Sequence, residues 1–597
     1  MSILRSSNSH ATKYTTTGHC RPLRWRAATL AVAMASLLSW ALVAAGGGKA
    51  SAAGQGDEGR HVLLISVDGL HASDLSQCEA NGECPNLKML ADHGTTYSDA
   101  LTSMPSDSAP GLMALASGGD PRLTGVYYDD SYDRTMYAPA AQTPTFTQDC
   151  QGPAGTETQY AENVDANSPN HFQPNGFRPV IGAVLDPTQF PYAWQNGRCA
   201  PVYPNDFLRT NTVFSVAHAA GLWTAWADKH PVYNQEVAGH GTPHAVSDPF
   251  NTEINADIVP AQLTDTRGRV ITFPLPNPDG TGPFFITDSV GNTESYDQIK
   301  VDAILNEIDG LNSWGTRPAP VPAIFGMNFQ SVSVAQKLVD PILSCVRSKN
   351  GPNCDPHYQP GGYEPGTLAF TPQLSGAIEF VDSAIGSIVS ELQKADQLRS
   401  TTIIVTAKHG QSPIDPTQSH LIGHAEVTDL TNAGVQPVQV TDDDIALVWL
   451  QHSTQGQEVA QTQAAAAALA ADQSGANNAR IQYVLSGPSL AQQFDNPLAD
   501  PRTPDVIVQP IPGTIYSSSS AKVAEHGGFA ADDTHVALVV TRGSALASGH
   551  GLSRVVTKPV RTFQVAPTIL QLLGLDPTQL DSVRQEHVQV LPGLGAQ

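Results

Sequence analysis

Positive charge is scarce in this sequence. Its 597 residues include 32 lysines and arginines but 56 aspartates and glutamates, which gives a formal net charge of −24 at pH 7. Six of the basic residues and none of the acidic ones lie within residues 1–52, so the rest of the chain is more acidic still. Because nucleic-acid phosphates require many cationic contacts, this balance excludes nucleic acid as the expected partner. It favours a protein that diffuses freely in solution.

Cysteine is also sparse, and its spacing is informative. Seven cysteines are present, and none has the C-x2-C spacing of a zinc-thiolate site. Apart from Cys20, they form three pairs of sequence neighbours: Cys78/Cys84, Cys150/Cys199 and Cys345/Cys354. An even number of cysteines in an exported chain predicts disulfides. Pairing between sequence neighbours is one of several possible connectivities, and the others stay open at this point.

Long apolar runs are rare, and the clearest one lies near the N-terminus. Residues 27–45 are apolar and follow three arginines within residues 21–26, and Ala50-Ser51-Ala52 has the small-x-small spacing of a signal-peptidase site. These features predict a secretory signal peptide over residues 1–52. We therefore expect a secreted or periplasmic protein with no stable membrane insertion after cleavage. An uncleaved membrane anchor is the alternative interpretation.

After His61, six apolar or small residues run without a break to Val67, and Asp68 and Gly69 follow them. Such a run is typical of a strand buried in a parallel sheet. Further strands are predicted at 222–226, 323–327, 402–406, 444–450, 481–485, 505–509 and 535–541. Because helical patterns alternate with these strands, the fold class is α/β, a three-layer α/β/α sandwich with a mainly parallel central sheet. We assign it to one domain over residues 60–580, with loop-rich insertions near 127–210 and 232–300.

Polar side chains capable of chemistry follow several of these elements. Asp68 ends the first strand, Lys408 and His409 follow the strand at 402–406, and His526 lies in a late Gly-rich loop. In α/β sheets, ligands bind outside the carboxyl ends of the strands. A carboxylate, two imidazoles and a hydroxyl are a plausible set for a zinc-like ion that activates the hydroxyl. The alternative for Asp68 is that it only caps the following segment.

The hydroxyl in this set comes from Ser108, which opens an apolar helix after a polar turn. A helix N-terminus presents free N–H groups and the positive end of the helix dipole, so it is suited to bind an anion. A serine there can attack phosphorus or sulfur while the helix holds the oxyanion. The alternative is an ordinary N-cap.

The order of these motifs resembles the alkaline phosphatase superfamily, and within it the type I phosphodiesterase/nucleotide pyrophosphatase group. In that group a strand ends in V-D-G, as in Val67-Asp68-Gly69, and a Pro-x-x-nucleophile-x-Pro turn opens a helix. Pro105–Pro110 matches this turn, with Ser108 in place of the usual threonine. A D-H-G metal pair and a late H-G ligand correspond to Lys408-His409-Gly410 and His526-Gly527. The resemblance covers most of residues 60–575.

The sequence departs from the family pattern at three places. The aspartate of the D-H-G pair is Lys408, and an ammonium cannot bind a metal. An expected Asp with a His four residues later is replaced near Asn328 and Val332, where Asn328 and Gln330 are the remaining neutral oxygen donors. Gly111 stands where the family has an asparagine that holds a phosphoryl oxygen.

The resemblance implies a hydrolase acting on phosphoric mono- or diesters, with a small-molecule phosphoester as substrate and a divalent metal, zinc first, in one or two copies. It makes Asp68, Ser108, His409 and His526 the expected metal ligands. Ser108 is the expected nucleophile of a seryl covalent intermediate, and Lys408 is expected to supply a positive charge. Gly111 and Asn328 are expected to contact the substrate.

Two other functions stay open on the sequence alone. A degenerate member of the family would keep the fold and bind phosphoesters without cleaving them, and the loss of metal ligands supports this alternative. A sulfatase or phosphonate hydrolase is the other, but Leu112 stands where a sulfatase motif needs arginine. No G-x-S-x-G elbow is present, which argues against an α/β-hydrolase esterase.

Overall fold

The computed structural model describes residues 60–594 except 144, 146, 161–184, 255–261, 273–285, 339–360, 453–456, 473–477, 518–521, 550 and 552. The predicted signal peptide and the predicted Cys345/Cys354 pair lie outside the described residues. The strands are β1 His61–Val67, β2 Thr95–Tyr97, β3 Ala100–Leu101, β4 Asp130–Asp133, β5 Thr156–Gln159, β6 Tyr192–Gln195, β7 Arg198–Pro201, β8 Ala225–Ala227, β9 Asp248–Phe250, β10 Gln262–Thr264, β11 Val270–Thr272, β12 Ile324–Phe329, β13 Thr401–Thr406, β14 His420–Leu421, β15 Pro437–Asp442, β16 Ala446–Leu450, β17 Ile481–Ser486, β18 Val506–Pro510, β19 Thr514–Ile515, β20 His535–Val536, β21 Leu538–Arg542, β22 Arg554–Val556 and β23 Val560–Arg561.

The α-helices are α1 Ala72–Asn81, α2 Pro85–Asp92, α3 Ser108–Ser117, α4 Pro121–Thr124, α5 Pro204–Phe207, α6 Val213–Ala219, α7 Pro231–Glu236, α8 Val290–Ile308, α9 Ser331–Lys337, α10 Pro372–Lys394, α11 Ala425–Asn432, α12 Gln457–Ala471, α13 Gly487–Leu490, α14 Ala531–Thr534, α15 Gly543–Ser548, α16 Val565–Leu572 and α17 Asp581–Glu586. Among the described helices, none combines the length and the hydropathy needed to cross a membrane.

An eight-stranded sheet forms the centre of the fold, in the order β22-β2-β21-β13-β1-β12-β8-β9. The five strands from β13 to β9 run parallel, and β21 is antiparallel to both of its neighbours. The predicted mainly parallel sheet is therefore confirmed. The apolar residues of β1 are buried completely because the strand lies in the middle of this sheet, between β12 and β13.

Helices cover both faces of the sheet. Leu63 and Ile65 of β1 belong to a core that also contains residues of α8 and α10. Val62 and Leu64 point to the other face and share a core with residues of α3 and α16. Since neighbouring residues of a strand face opposite sides, these two cores confirm the three-layer arrangement.

Two features differ from the sequence-based expectation. The strands predicted at 444–450, 481–485 and 505–509 form, together with β15, a separate antiparallel sheet in the order β15-β16-β18-β17. Their apolar runs gave no sign of strand direction, which depends on how the connections fold back. The second insertion ends earlier than predicted, because α8 begins at Val290. This helix buries charged side chains such as Asp297 and Lys300, so its sequence lacks a clear apolar stripe.

The insertion near 127–210 contains short antiparallel hairpins formed by β4 with β5 and by β6 with β7. Two disulfides, Cys78–Cys84 and Cys150–Cys199, confirm the predicted pairing of sequence neighbours among the described residues. The second of them ties β7 to a loop that precedes β5.

Candidate active site

Three parallel strands of the central sheet bring the candidate residues together. Asp68 follows β1, Asp228 and Lys229 follow β8, and Lys408 and His409 follow β13 with one residue between. These strands run parallel, so their carboxyl ends lie at the same edge of the sheet. The side chains of all five residues are buried or nearly so.

Ser108 is the first residue of α3, and its hydroxyl contacts two basic groups. Oγ of Ser108 lies 2.8 Å from Nζ of Lys229, which donates to it, and 3.2 Å from Nε2 of His409. Nδ1 of His409 donates to the carbonyl oxygen of Gly410 at 2.8 Å. A carbonyl can only accept, so Nδ1 carries a proton. Nε2 faces Oγ of Ser108 and also lies 3.4 Å from Oδ2 of Asp68. The Ser108 hydroxyl and His409 are therefore within hydrogen-bonding distance of each other.

Lys408 connects two buried carboxylates. Its Nζ lies 3.1 Å from Oδ1 of Asp228 and 3.5 Å from Oδ2 of Asp68. Burial alone would raise the pKa of Asp68, but the charges of Lys408 and His409 outweigh burial and hold that pKa well below its ordinary value. Burial alone would lower the pKa of Lys408, but Asp228 and Asp68 raise it. Asp68 and Lys408 are therefore both charged at neutral pH.

The oxygens of Asp68 also accept hydrogen bonds from two amides. Nδ2 of Asn328 donates to Oδ1 at 2.7 Å, and Nε2 of Gln330 donates to Oδ2 at 2.5 Å. Nε2 of Gln330 also donates to Oδ1 of Asn328. Asn328 thus lies beside Asp68 and supports it. That Asn328 contacts the substrate stays a prediction.

These contacts do not fit the metal site that the family pattern implies. A divalent ion needs unprotonated donors, whereas Asp68 faces two amide N–H groups and the ammonium of Lys408. Ser108, a second expected ligand, already accepts from the ammonium of Lys229. An ion between these groups would lie beside two like charges.

The ring of His526 packs against the ring of His409, with 3.9 Å between the ring centroids. Burial, together with the nearby His409, holds the pKa of His526 well below its ordinary value. Its Nδ1 is 3.5 Å from Oδ1 of Asp107, and neither atom has a hydrogen-bond partner within the described part of the protein. His526 is therefore a neutral imidazole at the wall of the site.

Gly111 allows α3 to approach the end of β13. A Cβ at this position would overlap the carbonyl oxygen of Lys408. The N–H of Gly111 donates to the carbonyl oxygen of Asp107 at 2.9 Å, and the N–H of Ala109 donates to the Asp107 side chain at 3.2 Å. Both N–H groups are thus engaged within the start of the helix. A substrate contact by Gly111 stays a prediction.

A cleft of about 470 Å³ opens onto Lys229, His409 and His526. Other charged groups line its walls: Asp129, Asp130, Lys337, Asp442, Asp443, Lys522 and Glu525. A larger cavity of about 720 Å³ lies at the other edge of the sheet, against His61, Trp223 and Ala323, which precede strands or begin them. It contains none of the candidate residues, so the smaller cleft is the candidate active site.

One group of side chains of the kinds that bind metal ions lies at the rim of the cleft. Ligand atoms of His424, Glu426 and Asp442 lie within 4.8 Å of one another, and no other described group meets this criterion. Nδ1 of His424 is 2.6 Å from Oδ2 of Asp442. Burial and the neighbouring Asp442 raise the pKa of Glu426 to about 10. This cluster can hold a divalent ion, although it is separate from Ser108.

The structure brings Asp68, Ser108, Lys408, His409 and His526 into one site. The sequence predicts the strand at 222–226, but neither Asp228 nor Lys229, which follow it, was among the expected site residues. The available signal was that strand end alone, because β8 has only three residues and its position two strands from β1 depends on the sheet order.

Comparison with known proteins agrees with the motifs. The family model for type I phosphodiesterase/nucleotide pyrophosphatase matches residues 62–312 and 347–535. A search of curated proteins finds no match. Two similar solved structures are both of murine ectonucleotide pyrophosphatase/phosphodiesterase 5. The first has 11% sequence identity and a TM-score of 0.46, and covers 87% of this chain and 96% of its own. The second, an inactive form in complex with AMP, has 12% identity and a TM-score of 0.47 at the same coverage.

The similarity to these two structures is too remote to add to the family match. The match itself extends over well more than half of the sequence and includes Asp68, Ser108, His409 and His526. This chain therefore belongs to the type I phosphodiesterase/nucleotide pyrophosphatase family of phosphoester hydrolases.

Proposed function

We propose that the protein hydrolyses phosphodiesters through a covalent intermediate on Ser108. The observation that supports this proposal most strongly is the position of the Ser108 hydroxyl. It lies at the start of a ten-residue helix, 3.2 Å from Nε2 of His409 and 2.8 Å from the ammonium of Lys229. A hydroxyl beside a base and a cation is the arrangement of an activated nucleophile.

The first step forms a bond between Oγ of Ser108 and phosphorus and breaks the bond between phosphorus and the leaving oxygen. The Ser108 proton moves to Nε2 of His409, which passes it to the leaving oxygen as that oxygen takes the electron pair of the broken bond. In the second step water attacks phosphorus and gives a proton to His409, Oγ leaves with the electron pair of its bond to phosphorus, and His409 transfers the proton to Oγ. Lys229 faces the oxygen whose charge changes in both steps, which is where a fixed positive charge stabilises the transition state.

The charge balance of the site favours diesters over monoesters. The ammonium groups of Lys229 and Lys408 are matched by the carboxylates of Asp68 and Asp228. The site therefore has no large positive excess for a dianion. A phosphodiester carries one negative charge and a monoester close to two at neutral pH, so the diester requires less compensation. We expect kcat/KM to be higher for a diester with the same leaving group.

Export of the protein belongs to the same proposal. The two disulfides support an oxidising compartment, in line with the predicted signal peptide. The sequence analysis predicts zinc as the cofactor, and the family is generally dependent on divalent metals. The cluster of His424, Glu426 and Asp442 supports binding of a divalent ion at the rim of the cleft.

The test compares bis-p-nitrophenyl phosphate and p-nitrophenyl phosphate as substrates of the mature chain and of Ser108→Ala. Loss of the nucleophile is expected to lower kcat by about 10⁶ when the residue acts with its base as a unit. Ser106→Ala is the matched control, because this neighbouring buried serine bonds to the carbonyl oxygen of Asp533. Equal turnover by Ser108→Ala and the wild type would contradict the nucleophile assignment.

The competing function is a phosphoester-binding protein without turnover. The amides of Asn328 and Gln330 beside Asp68, and Lys408 in place of an aspartate, are the observations that favour it. It predicts that neither ester is hydrolysed by the wild type, while a non-hydrolysed phosphodiester analogue binds. Turnover that disappears in Ser108→Ala excludes it.

A further inference from the structure

Two buried lysines occupy the centre of the candidate active site. The ammonium of Lys229 contacts the nucleophilic oxygen of Ser108 directly, and that of Lys408 lies between Asp68 and Asp228. Lys408 is fully buried and Lys229 is 8% exposed. Burying an ammonium is unfavourable unless it is paired, and in each case the partner is a candidate catalytic group or a carboxylate beside one.

The same contacts occupy the atoms that a metal would use. Asp68 accepts from Asn328 and Gln330, and Ser108 accepts from Lys229. The family is generally dependent on divalent metals, so the donor set of this chain disagrees with the behaviour of its relatives. The disagreement involves several side chains around one point, which present N–H groups to Asp68 and Ser108.

We propose that Lys229 and Lys408 supply the positive charge of the catalytic centre, and that phosphoester hydrolysis at Ser108 needs no divalent ion there. This inference rests on the proposed function. Lys229 is a catalytic residue in this scheme, because it contacts the oxygen that attacks phosphorus. Lys408 is a positioning residue, because it acts through the two carboxylates.

Each lysine has a separate task. Lys229 stabilises the negative charge that appears on Oγ of Ser108 when His409 removes the proton, and again when Oγ leaves phosphorus. Lys408 offsets part of the negative charge of Asp68 and Asp228, which would otherwise repel an incoming phosphoester anion more strongly across a buried site with little screening. No further reactant is needed, because His409 passes the Ser108 proton to the leaving oxygen and later passes a proton of the attacking water to Oγ.

The first test measures bound metal and turnover on the same preparations. Metal content is determined by mass spectrometry for the wild type, His409→Ala and Glu426→Gln, before and after dialysis against EDTA. Glu426→Gln reports ions held by the rim cluster, and His409→Ala reports ions held beside Ser108. We expect His409→Ala to contain the same metal as the wild type. We also expect hydrolysis of bis-p-nitrophenyl phosphate by the wild type to be unchanged after EDTA.

The second test changes the charge beside the nucleophile. Lys229→Met is expected to lower kcat by about 10²–10³, the usual effect of removing one group that stabilises transition-state charge. Added zinc or manganese should not restore the rate, and Lys229→Arg, which keeps the charge, should retain more activity than Lys229→Met. Lys394→Met is the control, because Lys394 is an exposed surface residue paired with Glu391.

Three results would overturn the inference. One is an ion that is retained in Glu426→Gln, lost in His409→Ala and required for turnover after EDTA treatment. Another is an unchanged kcat in Lys229→Met, and the third is restoration of that variant by a divalent ion. Absence of turnover in the wild type under every condition would instead refute the proposed function, together with the inference that rests on it.

Discussion

Replacing Lys408 with methionine tests the electrostatic structure of the site. The substitution keeps a long apolar side chain and removes the charge that lies 3.1 Å from Asp228 and 3.5 Å from Asp68. Removing one partner of a buried ion pair typically lowers stability by about 3–5 kcal/mol, because the other charge remains buried. Two carboxylates depend on this one ammonium, so we expect a loss near 5 kcal/mol, at the upper end of that range.

The loss should depend on pH in a defined direction. Lys408 and His409 hold the folded-state pKa of Asp68 below its ordinary value. In the wild type Asp68 therefore adds stability above the unfolded-state pKa of about 4 and loses that contribution as the pH falls through the folded-state pKa. In Lys408→Met this contribution is reduced or reversed by burial. The difference in stability between the two proteins should therefore be larger at neutral pH than near pH 4.

The assay is urea unfolding of the wild type and Lys408→Met at both pH values. Lys394→Met is the control and should lie within about 0.5 kcal/mol of the wild type. The double variant Lys408→Met/Asp228→Asn should recover part of the loss, because it also removes one of the unpaired charges. A loss of stability in Lys408→Met below about 1 kcal/mol, or one that does not change with pH, would show that Lys408 does not stabilise the two buried carboxylates.

Two further predictions concern residues around the site. Gly111→Ala should lower stability by about 1–3 kcal/mol and reduce turnover. The reason is that the added Cβ would overlap the carbonyl oxygen of Lys408 and push α3 away from β13. Urea unfolding and kcat, measured on the same variant, check this prediction. Burial and Asp442 raise the pKa of Glu426 to about 10, so the wild type should lose stability as the pH rises from about 4.5 towards that value. Glu426→Gln should flatten this part of the pH–stability curve, and an identical slope in the two proteins would contradict the assignment.

Much of the fold follows directly from the sequence. β1 and β13 are short runs rich in β-branched and other apolar residues, and such runs indicate buried strands. The separate antiparallel sheet formed by β15 to β18 was not predictable, because an apolar run does not carry its direction or its partner. The start of α8 was missed because Asp297 and Lys300 pair with each other in the interior.

The candidate site also contains residues that the sequence predicts and others that depend on the tertiary structure. Asp68, Ser108, His409 and His526 lie in short motifs with a fixed order, which is a signal that one sequence can carry. Lys229 lies in no such motif, and its contact with Ser108 depends on the position of β8 in the sheet. Sequence reasoning also treated Asn328 and Gln330 as possible oxygen ligands, whereas their side chains present N–H groups to Asp68.

The most direct test of Ser108 as the nucleophile is its covalent state during turnover. The wild type is mixed with bis-p-nitrophenyl phosphate, quenched with acid within the first turnovers and digested for peptide mass spectrometry. We predict a phosphoryl ester on the peptide that contains Ser108. His409→Ala should form this ester more slowly than the wild type, and Ser108→Ala should not form it. Product release by the wild type with no adduct on that peptide, and with Ser108→Ala equally active, would contradict this prediction.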